Sequence, residues 1–64
     1  MVNRRKAMYA VKFYDRQSHA LTDEQVVCFD ASMAGFERAV AWGKDVADPH
    51  EYVGEISRQA VERP

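Results

Sequence analysis

The sequence predicts an α+β domain of order β-β-α-β: a three-stranded antiparallel sheet, strand order 2-1-3, with one helix packed on one face. Three observations predict it. Residues 8–15 are rich in β-forming side chains and alternate in character. Residues 32–47 set apolar side chains three and four apart behind a capping serine. Asp48-Pro49 then breaks the helical pattern before a further strand-like run.

Met8 to Asp15 reads as the first strand, with Tyr9, Val11 and Phe13 on the core face and Met8, Ala10, Lys12 and Tyr14 on the other. Residues 16–24 are polar enough to be a connection, in which Leu21 tucks back onto the core and Thr22 to Gln25 make a single helical turn. Gln25 to Asp30 is the second strand, with Val27 and Phe29 inward and Val26 and Cys28 outward. The two strands most simply form an antiparallel hairpin with a long loop.

The helix starts near Ser32, whose hydroxyl can cap an N–H of the first turn, with Asp30 adding negative charge near the positive helix end. Phe36, Ala39, Val40, Gly43, Val46 and Ala47 form its apolar stripe, and Gly43 within that stripe lets the backbone approach the sheet. Arg38, Ala41, Lys44 and Asp45 lie away from the stripe. The run Tyr52 to Val61 fits two templates. As a strand it puts Tyr52, Gly54, Ile56 and Arg58 on one face and Val53, Glu55 and Ser57 on the other. As a helix it would use Asp48, Pro49 and Glu51 as cap, first-turn proline and capping-box acid. The strand gives the helix a proper sheet to cover, because an isolated hairpin is marginal.

With 64 residues there is room for one core, expected over residues 8–64, preceded by a flexible basic arm at residues 1–7. The apolar runs fall far short of the ~18 residues of a membrane span, and the start lacks the pattern of a secretory signal. No membrane contact is therefore expected. Cys28 is the only cysteine, which fits a reducing, cytoplasmic setting and leaves the fold to its hydrophobic core or to self-association. The net charge of -1 hides an asymmetry: residues 1–17 carry +4 and residues 18–64 carry -5. Such a chain differs from the clearly basic domains that usually meet nucleic acid.

Groups that could carry chemistry are few. Cys28, His19 and His50 stand in no metal-ligand spacing, and no residue is placed to orient an imidazole toward the thiol. The glycines form no phosphate loop, so neither an enzyme, a metal nor a cofactor is expected. Nucleic acid has one argument: Arg4, Arg5 and Lys6 on the arm, with Lys12 and Tyr14 on an uncovered sheet face, are residue types that hold and stack single strands. Protein binding has more. The open face would carry Met8, Ala10, Tyr14, Val26, Cys28 and Val53 around Lys12 and Glu55, an apolar patch of the kind that marks interfaces or a homodimer. Trp42 lies at the margin of the helical stripe, either a lid on the core or an interface anchor. Glu37, Asp45, Asp48 and Glu51 nearby would steer a basic partner.

In size, in its one sheet and one helix, in its lack of catalytic groups and in its acidic majority, the chain resembles small inhibitor proteins of phages and mobile elements, of the anti-CRISPR type. The resemblance implies occlusion: a domain covering a working surface of a larger nucleoprotein complex, with carboxylates standing in for phosphate charge. It assigns a role to no particular residue.

Overall fold

In the computed structural model, which describes residues 5–59, the chain runs β1 (Lys6–Asp15), β2 (Leu21–Asp30), α1 (Met33–Val46) and β3 (Glu51–Gln59). The strands form one antiparallel sheet of order β2-β1-β3, and α1 packs against one face of it. The predicted class and strand order are those observed. As the central strand, β1 is flanked on both sides and roofed by the helix. Tyr9, Val11 and Phe13 are therefore buried, all at 2% exposure or less.

The helix begins as its sequence dictates. Ser32 is extended (φ -149°, ψ 174°), and its Oγ accepts the Gly35 N–H at 3.2 Å. Ala47 closes the other end by donating its N–H to the Gly43 carbonyl. The buried stripe, however, is Gly35, Ala39 and Gly43, whereas Phe36 and Val46 remain substantially exposed. The physical reason is close approach. A line of small residues at i, i+4 and i+8 lets the axis sit low on the sheet, and the larger apolar residues straddle the contact. A Cβ on Gly43 would stand 3.0 Å from methyl carbons of both Val11 and Val53. At Gly35 a Cβ would fall on the Asp30 carbonyl, so the first helical turn rests directly on the end of β2.

Several expected boundaries move. β1 starts at Lys6, inside the expected arm: Ala7 is buried in the core, and Lys6 Nζ lies 3.5 Å from the Asp30 carboxylate. The arm's Arg4 lies outside the described residues, as does the end of the expected domain at 60–64. β2 begins at Leu21 rather than Gln25, so the expected helical turn at 22–25 is strand, and Leu21 is exposed instead of tucked onto the core. The connection shrinks to a tight turn built by Asp15. Its Oδ2 accepts the N–H groups of Gln17 (2.9 Å) and Ser18 (2.8 Å), and His19 takes a left-handed conformation at φ 63°. Those donors, Ser18 first, hold the Asp15 carboxyl below its ordinary value.

Residues 51–59 follow the strand template, but a bulge shifts the register between Lys12 and Phe13. Lys12 pairs with Glu55 and Phe13 with Val53, so Gly54 is the extra residue. The bulge moves Val53 onto the helix face and Tyr52 onto the open face, reversing the expected placement of both.

Candidate interaction surface

The face away from α1 is built in rows across the three strands. Met8 stands between Cys28 and Gln59, and Ala10 between Val26 and Ser57. Met8 is 42% and Val26 53% exposed, whereas Ala10 is buried by its longer neighbours although no helix lies over it. Next comes a charged row, Glu24–Lys12–Glu55. The Lys12 ammonium lies 3.8 Å from Glu55, which leaves Glu24 with no ion pair among the described residues.

The last row is aromatic, and it is the feature that sequence reasoning missed. Tyr14 pairs with Tyr52, and their rings stack at 5.9 Å and 27°. Gly54 makes this possible, because a Cβ there would occupy the Tyr14 ring. His19 Nδ1 lies 3.1 Å from the Tyr52 hydroxyl, and its imidazole meets that ring edge-on. The one available signal was a glycine within a strand pattern, which often marks a bulge.

The expected acidic surface is only partly assembled. Trp42 is half-buried and meets Phe13 edge-to-face at 6.3 Å and 65°, which places it as a lid on the core edge. Asp45 is its neighbour around the helix, but Glu37 projects about 140° away from it at 3.6 residues per turn. Beyond the helix, Asp48, His50 and Glu51 bring one donor atom each to within 4.8 Å of one another. Both Glu51 oxygens are already in use. One accepts the Asp48 N–H at 3.2 Å, and the other lies 2.6 Å from the Thr22 hydroxyl. That hydroxyl also lies 3.1 Å from the Phe13 carbonyl, but its single proton serves the shorter, charge-assisted contact. Thr22 first, then the Asp48 amide, keep the Glu51 carboxyl below its ordinary value. Arg16 completes this clamp by donating its side chain to the Pro49 carbonyl (3.0 Å) and its backbone N–H to the His50 carbonyl (2.8 Å).

Cys28, His19 and His50, the residues weighed above for a metal or a thiol–imidazole pair, are not brought together. Cys28 is exposed in the row of Met8, whereas His19 and His50 sit near Asp15, seven residues and roughly 23 Å along β1. No helix of the described residues is long and apolar enough to cross a membrane. Comparison with protein-family models, curated proteins and solved structures finds no match to this chain. Its class is thus set by its own geometry: a small α+β domain with one roofed and one open sheet face.

Proposed function

We propose that the chain is a non-catalytic protein-binding module, an inhibitor or adaptor that occludes a surface of a larger protein or nucleoprotein complex. The observation that supports this reading is the open sheet face. It presents Met8, Val26 and Cys28 at one end and the Tyr14–Tyr52 pair at the other, with no element of the described residues over it. Exposed apolar area bordered by charge, here the Met8, Val26 and Cys28 patch beside the Glu24–Lys12–Glu55 row, is the usual mark of an interaction site. Tyrosines are enriched in interfaces because they bring large, stiff contact area with a polar tip. The cytoplasm suits such a module, since it keeps the exposed Cys28 thiol reduced.

Single-stranded nucleic acid is the second reading, favoured by one observation: a stacked tyrosine pair beside Lys12 is a platform on which bases stack. Against it, Lys12 is matched by Glu55 and flanked by Glu24, so the face offers phosphate no net positive charge. Capture from native lysate with and without nuclease, using the wild type and Met8→Glu, tests both readings. A protein retained through nuclease treatment and released by Met8→Glu fits the module. Loss of all binding on nuclease treatment, with steep salt dependence, hands the function to nucleic acid.

A further inference from the structure

We infer that β2 is a docking edge, to which a partner protein adds an extended, basic segment as a fourth strand. The inference rests on the protein-binding reading above and names the partner's chemistry.

The hydrogen-bond phase of the hairpin identifies the free groups. In an antiparallel pair, successive residues alternate between bonding to the neighbouring strand and pointing away from it. Ala31 donates its N–H to the Arg5 carbonyl, next to the Lys6–Asp30 pair, which fixes the phase. Glu24, Val26, Cys28 and Asp30 therefore aim their backbone groups outward, away from β1. An independent contact agrees: the Glu24 N–H is taken by Asp23 Oδ1 at 2.8 Å, as an outward amide at the edge would be. At the other limit, the Asp30 carbonyl accepts the Tyr9 hydroxyl at 2.7 Å. Between those two capped points, both backbone groups of Val26 and of Cys28 have no partner among the described residues.

Apart from its carboxylates, this edge lacks the usual protections. From Asp23 to Asp30 it pairs in unbroken register with no proline, lysine or arginine. β3, the other edge, is interrupted by the bulge at Gly54. The charge selects the occupant. β2 carries Asp23, Glu24 and Asp30 and no cation, and the Glu24 carboxylate has no ion pair among the described residues. A second copy using the same edge would set three carboxylates against three, and like charges across strands destabilise pairing. A basic segment would instead find Glu24 unneutralised and would extend the apolar row of Val26 and Cys28 with its own side chains.

The test titrates the isotope-labelled chain with a blocked ten-residue peptide alternating Lys and Val. Parallel titrations use the same peptide N-methylated at alternate residues and a Glu–Val counterpart. The Lys–Val peptide should bind and slow amide exchange at Val26 and Cys28. N-methylation should weaken binding about tenfold or more by removing the ladder. Val26→Pro removes the outward N–H together with the Val26 side chain but breaks no bond to β1, so the fold should survive while affinity drops by a similar factor. Glu24→Lys guards against a misfolded proline variant: it should weaken the Lys–Val peptide and strengthen the Glu–Val one. Equal binding of the methylated peptide, protection at β3 instead of β2, or no charge reversal in Glu24→Lys overturns the inference. Concentration-dependent self-association abolished by Val26→Pro also overturns it, in favour of a second copy. Partner capture lost in Met8→Glu but intact in Val26→Pro would leave the protein-binding reading standing and remove the docking edge alone.

Discussion

The two faces of β1 differ in what keeps water away. On the helix side Tyr9, Val11 and Phe13 are sealed because α1 rides low on three small residues, Gly35, Ala39 and Gly43. On the open side only Ala10 is buried, and only because it is shorter than the residues around it, while Met8 keeps nearly half its surface. One strand thus presents two different faces through its alternation. The odd positions hold the domain together, and the even positions, Ala10 apart, stay at least partly open to solvent.

The sharpest way to break this comparison is to truncate one residue on each side. Phe13→Ala should cost about 3–5 kcal/mol, which is all that a core of this size supplies, so the cooperative urea transition should vanish. Met8→Ala should cost about 1 kcal/mol or less and keep that transition. Equal losses would mean that both faces are core. Next in size is Gly35→Ala. A methyl on the Asp30 carbonyl must push the helix off β2, and the loss should reach about 3 kcal/mol, read as a fall in the thermal midpoint.

Gly43→Ala sets two effects against each other. Helix propensity gains roughly 1 kcal/mol. The new methyl meets Val11 and Val53 at 3.0 Å, and β-branched side chains cannot turn aside without leaving their rotamers. Overpacking should win by about 1 kcal/mol. A stabilised variant would show that the helix can lift without harm.

What the sequence made legible follows from these forces. Strong alternation in 8–15 and the cap–stripe–proline order of 32–49 define the elements, and their order allows a simple 2-1-3 sheet. The small-residue contact line was hidden because periodicity counts large apolar side chains, whereas burial here follows closeness of approach. Leu21–Glu24 was hidden because Asp23 and Glu24 have weak strand propensity, and an edge strand tolerates them. The bulge at Gly54 exchanged the faces of Tyr52 and Val53, since a one-residue shift reverses every side chain beyond it. The candidate site was legible in Met8, Val26 and Lys12, but not in the Tyr14–Tyr52 stack that the bulge creates.

A smaller effect concerns pH. Asp15 and Glu51 have carboxyl groups held below their ordinary values by donors in the folded state. Their contribution is therefore fully present above the unfolded value of about 4 and is lost as pH falls through the lower folded values. Stability should be level at neutral pH and decline only below about pH 4.5. In Thr22→Val the Glu51 midpoint, followed by carbon-detected NMR, should rise. An unchanged midpoint would remove the Thr22–Glu51 contact from the account.

The central claim is that the open face binds and does not stabilise. It is tested most directly by measuring one variant, Met8→Glu combined with Val26→Glu, for both thermal midpoint and capture of a nuclease-resistant protein partner. The account predicts a midpoint within a few degrees of wild type, the shift of ~0.5 kcal/mol in a chain this short, together with loss of the captured protein. A midpoint lowered by tens of degrees, or a partner retained at wild-type level, would contradict it.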